Sequence, residues 1–236
     1  MEAPYALIDA PVGVAYNHLD VLNHFWLDMA LMHNVFLRFL NNIHEIAAKI
    51  KPGDESAFAG YCITGIDLIH LHHKGEEEIL FRHLSNRLDM SGNIHEHGEF
   101  QGGLDAFYQY MKAVFNKQEK YDTEKTISLF CSFGDSLAKH LRDEIPTIQP
   151  EQLKEFEKSE LDGMMKEHDE YVKKKSSLFL VLPWALSHHN SQDRPDWPPL
   201  PGPLLWIARN VGGLKHPSYW KFSPYDMKGN PKQYAT

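Results

Sequence analysis

The chain has 236 residues, which allows one domain with an extension or two small domains at most. Its 42% hydrophobic and 24% charged residues are those of an ordinary globular protein and exclude wholesale disorder. The net charge of −8 offers no basic surface to a phosphate backbone, so we predict no nucleic-acid partner. The chain lacks a run of about 18 apolar residues and a signal-peptide pattern at its N-terminus. We therefore expect a cytoplasmic protein with no membrane partner.

Residues 17–182 read as consecutive helices. Apolar residues recur there at steps of three and four, and prolines are few. Turn residues at 52–54, 91–93 and 122–123 divide the first four helices, and Pro146 ends the fourth. A fifth helix is predicted after Pro150. Short connections favour antiparallel neighbours, so we predict an all-α fold, an up-down antiparallel four-helix bundle with a fifth helix.

The composition changes after Leu182. Residues 183–236 contain nine of the 14 prolines and four of the five tryptophans. So much proline argues against a regular core, whereas the aromatics argue against disorder. We predict an irregular, Pro/Trp-rich C-terminal wrap over residues 183–236, packed on a bundle of residues 1–182. A packing role is the simpler expectation, and a roof over a substrate entrance is the alternative.

Two segments repeat one pattern. His73 and Glu77 are four residues apart, as are His140 and Glu144, so each pair lies one helical turn apart on the same face. Both pairs fall in the apolar stripe that should face the core. A carboxylate in a bundle core is costly unless it is paired or coordinates a metal. Two facing pairs would supply two nitrogens and two bridging carboxylates, the donor set of di-iron carboxylate bundles.

The other two helices also place a histidine in the apolar stripe, His33 in the first and His97 in the third. A single inward histidine is more often a satisfied core residue, and a single His–Glu pair is more often a surface pair. Four helices that each contribute a histidine rarely coincide by chance, so we predict a metal centre.

The pair of His72 and Glu76 has the same spacing as His73 and Glu77 but is rotated by about 100° around the helix axis. The register of the apolar residues Ile66, Ile69, Leu80 and Leu84 favours His73 and Glu77 as the inward pair.

The chain resembles the hemerythrin-like, cation-binding helical bundles over about residues 17–148. The matching segments are MHNVFLR at 32–38, HHKGEEEILF at 72–81, EH at 96–97 and HLRDEIP at 140–146. The resemblance implies a non-haem centre of two iron ions with an oxo or hydroxo bridge. By matching position, its metal ligands would be His33, His73, Glu77, His97, His140 and Glu144.

One position departs from the oxygen-carrying members, which have a second histidine one turn after the third-helix ligand. This chain has Gln101 there. One iron would then keep an open position, which favours reaction over oxygen carriage. His95, His168 or a histidine of the C-terminal region are alternatives that would fill the gap.

We therefore expect a protein that binds and activates dioxygen, as an oxidase or oxygenase acting on a small organic substrate. The alternative is a di-iron protein that senses or binds oxygen, nitric oxide or iron without turnover. A structural zinc site is less consistent with six ligands. An apolar cavity that reaches the metals from the C-terminal side would favour the enzyme, and a sealed, ligand-sized pocket would favour sensing.

Overall fold

The computed structural model describes residues 3–10, 20–192 and 194–235, and all regular structure in these ranges is helical apart from one isolated β-bridge. This confirms the predicted all-α class. The helices are α1 (Val21–Ile46), α2 (Glu55–Gly75), α3 (Phe81–Leu84), α4 (Ser91–Phe115), α5 (Thr123–Cys131), α6 (Gly134–Asp143), α7 (Pro150–Leu153), α8 (Lys158–Lys175), α9 (Leu178–His188), α10 (Gly202–Asn210) and α11 (Pro217–Trp220). A π-helical segment, Glu76–Leu80, joins α2 to α3, and 3-10 turns occupy Ala47–Lys49, Ile145–Ile148 and Gly212–Leu214. Among the described helices, none is both long enough and apolar enough to cross a bilayer.

The main core lies between α1, α2, α4 and α6. Helix α4 packs against both α2 and α6, and α1 contacts α2 and α6. Residues on the facing stripes are wholly buried, among them Phe36, Ile66, Leu104 and Leu137. The core is therefore built by the same four stretches that carry the predicted metal ligands. Their up-down order stays a prediction.

The predicted fourth helix is divided into α5 and α6. Asp122 begins α5, because its carboxylate accepts a hydrogen bond from the Lys125 amide at 2.8 Å. The chain then turns at Ser132 and Phe133. This turn lies against Gly103 of α4, where a Cβ would approach the Ser132 carbonyl oxygen to 2.9 Å. The turn between α5 and α6 therefore packs against a glycine of α4.

The predicted fifth helix corresponds to α8, which packs against α1, α2 and the π-helical segment. A second buried cluster forms there, with Leu84, Ile148 and Leu161 almost fully buried. Helix α8 therefore covers the bundle beside the segment that carries Glu76.

The C-terminal region is partly helical. Helix α10 begins at Gly202 and Pro203, because the fixed φ of proline suits the first helical turn. Helix α9 runs across the expected boundary at residue 182. Trp184 and Phe222 are wholly buried in the main core. The division into a bundle and a wrap stays a prediction.

Candidate metal centre

Seven buried side chains converge where α1, α2, α4 and α6 meet. Each is at most 7% exposed. They are His33, His72, His73, Glu76, His97, His140 and Glu144. Two groups have ligand atoms within 4.8 Å of one another: His33, His72 and Glu76 form one, and His73, Glu76, His97 and His140 form the other. Glu76 belongs to both groups.

In the first group, the Nε2 atoms of His33 and His72 are 2.9 Å apart, and Nε2 of His72 lies 2.8 Å from Oε1 of Glu76. Glu144 approaches from the end of α6, with Oε2 at 3.5 Å from Nε2 of His33. This group thus offers two imidazole nitrogens and two carboxylates.

In the second group, the Nε2 atoms of His97 and His140 are 3.0 Å apart. Oε2 of Glu76 lies 3.6 Å from Nε2 of His97, and Oε2 of Glu144 lies 3.6 Å from Nε2 of His140. Both carboxylates therefore lie between the two groups of histidines, where they could bridge two cations.

The outer nitrogens of three imidazoles have fixed partners. Nδ1 of His33 donates to the Leu141 carbonyl at 2.6 Å. Nδ1 of His97 donates to Glu77 at 2.7 Å, and Nδ1 of His140 contacts Glu96 at 3.2 Å. Such partners select the tautomer that directs the Nε2 lone pair toward the cluster.

The cluster has the chemistry of a cation site. Neither carboxylate, Glu76 or Glu144, has a hydrogen-bond partner of good geometry among the described residues, and Nε2 of His73 has none. Burial lowers the pKa of His140 to about 2 and that of His73 well below its usual value, so both imidazoles are neutral. Burial, and then the neighbouring Glu76 charge, raise the pKa of Glu144 well above its usual value. Lone pairs that face one another and buried carboxylates without well-formed hydrogen bonds are costly on their own and are satisfied by bound cations.

The structure brings five of the six predicted ligands together, and Glu77 is the exception. Its side chain is 46% exposed, and it bonds the outer nitrogen of His97. The expectation that Glu77 lies inside is wrong, and Glu76 is the inward carboxylate. At about 100° per residue, Glu76 falls between His72 and His73, so one carboxylate can face both histidines.

His72 and Glu76 are the residues that sequence reasoning placed outside the site. The two His–Glu pairs were predicted to be alternatives, but His72, His73 and Glu76 lie within an arc of about 100° on the helix. An arc of that width can face the core as a whole, and this spacing was the signal in the sequence.

The open coordination position expected from Gln101 stays a prediction. Gln101 is exposed on α4, and the neighbouring Phe100 is buried against the rings of His73, His97 and His140. Helix α2 offers two imidazoles to the cluster, since His72 and His73 both face it.

The histidines considered as substitutes for the Gln101 position differ in place. His95 is 79% exposed and pairs with Glu99. His168 of α8 has a buried Nε2 without a hydrogen-bond partner in the described structure, and it lies over Gly75 at the end of α2. His188 of the C-terminal region bonds Tyr61 and the Trp184 carbonyl, away from the cluster.

A surface cavity of about 490 Å³ lies between the N-terminal segment, α1 and the end of α6. It is lined by Ile8, Asp9, Trp26, Arg142, Ile145, Pro146 and Gln149. None of these residues belongs to the cluster.

Comparison with known proteins agrees with this geometry. The hemerythrin HHE cation binding domain matches residues 27–151, which include all seven cluster residues. The dimeric xanthone biosynthesis cluster protein R11 of Cryptosporiopsis sp. (strain 8999) is 27% identical over 244 residues, which cover 98% of this chain and 90% of that protein. No solved structure matches the chain. More than half of the chain, including every histidine of the cluster, thus matches one family, and the protein belongs to the hemerythrin HHE cation-binding family.

Proposed function

We propose that the chain is a non-haem di-iron protein that binds and activates dioxygen, as an oxidase or oxygenase acting on a small organic substrate. The observation that carries the proposal is the position of Glu76 and Glu144. Both are wholly buried, lack a hydrogen bond of good geometry among the described residues, and lie between two groups of histidines. Five imidazoles and two carboxylates match the ligand preference of iron better than that of calcium or magnesium, which prefer oxygen ligands.

Iron bound there would supply the electrons that reduce dioxygen. The protein's own residues orient the ligands and exclude water. Glu77 and Glu96 hold the outer nitrogens of His97 and His140. Phe36 and Phe81 pack against the rings of His72 and His97, with centroids 5.1 and 5.5 Å apart. These phenyl rings keep the surroundings of the cluster apolar.

The enzymatic form of the proposal is supported by the relative from a dimeric xanthone biosynthesis cluster. A xanthone is a fused aromatic ketone, so we infer that an aromatic compound is the substrate class.

Metal analysis tests the site. Mass spectrometry of protein purified without added metal or a chelating tag should find about two irons per chain. Zinc, or no metal, would contradict the proposal. The Glu76→Ala variant should lose the iron, while Glu78→Ala, which changes an exposed neighbour, should retain it.

The burial of the cluster favours a second candidate, sensing of oxygen or nitric oxide without turnover. All seven side chains are at most 7% exposed, and the 490 Å³ cavity is not lined by them. Oxygen uptake by the ferrous protein separates the two functions. Repeated turnover in the presence of a hydroxylated xanthone supports the enzyme, and a single stoichiometric uptake that the xanthone does not change supports sensing.

A further inference from the structure

Large apolar side chains are exposed along one short stretch of the C-terminal region. Trp206 is 62% exposed, Ile207 38%, Val211 42% and Leu214 70%. These four residues form the α10 patch. Other exposed large hydrophobic residues of the described ranges stand singly along the sequence, as Ile94 does on α4. Single exposed apolar residues are ordinary, whereas a group of four marks an interaction surface.

The α10 patch extends from the second half of α10 into the 3-10 turn that follows it, and its large apolar side chains face solvent. The buried positions of this stretch are instead the small residues Ala208 and Gly212. Gly212 lies so close to α9 that a Cβ there would be 2.7 Å from Cγ of Pro183. Close packing through the small residues therefore fixes the large ones outward.

Positive charge accompanies the α10 patch. Residues 197–225 include Arg209, Lys215 and Lys221 but no aspartate or glutamate. Lys221 is paired with Asp54. Arg209 and Lys215 have no ion-pair partner within the described part of the chain. On a chain with a net charge of −8, this stretch is a local cationic, apolar surface.

We propose that the α10 patch docks the protein on the surface of an anionic lipid bilayer. Trp206, Val211 and Leu214 would enter the boundary between headgroups and acyl chains, a position that tryptophan prefers. Lys215, which is exposed, would face the anionic headgroups, and the partly exposed Arg209 would lie at the edge of the patch. A symmetric contact between two copies of the patch would bring these cations near their own copies, so a negatively charged surface is the better match.

The expectation of no membrane partner was based on the lack of a spanning segment. The docking surface requires none, because the segment would lie in the plane of the interface. The proposal concerns a face made by α10 and the turn after it, and it does not depend on the metal centre.

Co-sedimentation with vesicles tests the docking surface. The purified full chain should pellet with phosphatidylcholine vesicles that contain phosphatidylserine, and much less with phosphatidylcholine alone. The double variant Trp206→Ser/Leu214→Ser should bind at least about tenfold more weakly, because it removes apolar area that would be buried. Loss of one cation near an anionic bilayer weakens binding by about fivefold. Lys215→Glu should weaken binding by more than that, because the new carboxylate is also repelled by the anionic headgroups.

Ile94→Ser is the matched control, since it removes an apolar side chain that is 47% exposed on α4. It should bind like the wild type, and thermal melts should show that all variants are folded. The proposal is overturned if the wild type pellets with neither vesicle, or if the patch variants bind as the control does. It is equally overturned if the wild type is a dimer that the double variant dissociates and no vesicle binding occurs, because the patch would then join two copies.

Discussion

The Glu77 carboxylate accepts a hydrogen bond from Nδ1 of His97 at 2.7 Å, on the side of the ring that faces away from the buried cluster. Glu77 is 46% exposed, whereas His97 is nearly buried. Glu96 stands in a similar relation to His140, with Oε2 at 3.2 Å from Nδ1, and Lys139 holds Glu96 in place. Partially exposed carboxylates thus orient two imidazoles that deliver their lone pairs to the interior.

Replacing Glu77 with glutamine should weaken iron binding without abolishing it. The amide carbonyl can still accept the hydrogen bond, but the negative charge that makes the imidazole more basic is lost. Loss of such a partner typically lowers metal affinity by about 10- to 100-fold. Competition with a chelator measures the change. Glu78→Gln is the control, because Glu78 is 48% exposed and pairs with Lys74. Complete loss of iron in the Glu77 variant would make Glu77 a ligand.

Replacing Glu76 with alanine should remove the iron altogether. Glu76 belongs to both groups of donor atoms, so each of the two proposed metal positions would lose an anionic ligand. Iron content per chain is the measurement, and Glu77→Ala is the comparison variant. Equal iron content in the two variants would reject the assignment of Glu76 as the shared ligand.

Most of the buried cluster could be predicted from the sequence, down to a single helical register. The His–Glu spacing identified His73, His140 and Glu144, and the apolar stripes identified His33 and His97. The choice between Glu76 and Glu77 depends on how α2 turns toward its neighbours and gives way to the π-helical segment at Glu76. Both glutamates lie within about 60° of His73 on a helical wheel, so periodicity alone cannot separate them.

The fold was predictable where local patterns decide it. Apolar periodicity identified the helical stretches, and Asp122 identified the start of α5. The break between α5 and α6 was missed, because it depends on a contact with Gly103 of α4, which lies about 30 residues earlier in the chain. The helices after residue 200 were missed for another reason. Prolines that usually exclude helix stand here in first turns, where they are tolerated.

Alanine substitutions at two adjacent glycines of α4 should change the free energy of unfolding in opposite directions. At Gly103 a Cβ would lie 2.7 Å from Ser132 Oγ, 2.9 Å from the Ser132 carbonyl oxygen and 3.0 Å from Phe133 Cβ, so the turn between α5 and α6 would have to move. Gly103→Ala should therefore lower the free energy of unfolding by about 1–3 kcal/mol.

At Gly102 a Cβ would meet nothing within 4 Å, so Gly102→Ala should raise the free energy of unfolding by about 0.5–1 kcal/mol through helix propensity alone. Urea denaturation of both variants measures the difference. A stabilised Gly103→Ala would show that the close approach of α4 to the turn is not tight.

Stability should fall as the pH falls below about 6.5, and His188 should contribute to that loss. Nδ1 of His188 donates to the Trp184 carbonyl at 2.8 Å, and Nε2 accepts the Tyr61 hydroxyl at 2.6 Å. Burial lowers the pKa of His188 to about 3, from an unfolded-state pKa of about 6.5. Between pH 6.5 and pH 3, His188 is therefore protonated in the unfolded chain and neutral in the folded chain. The contribution of His188 to the free energy of unfolding is fully present above pH 6.5 and is lost as the pH falls toward 3.

The contribution of His188 approaches about 1.4 kcal/mol per pH unit within that window. His188→Gln should be less stable at pH 7, since two buried hydrogen bonds change, but its free energy of unfolding should decline less steeply between pH 6 and pH 4. The difference in slope between the wild type and the variant isolates His188 from the other buried histidines, which titrate in both proteins. Urea denaturation at several pH values measures it. Parallel slopes would show that position 188 takes up no proton on unfolding in this range.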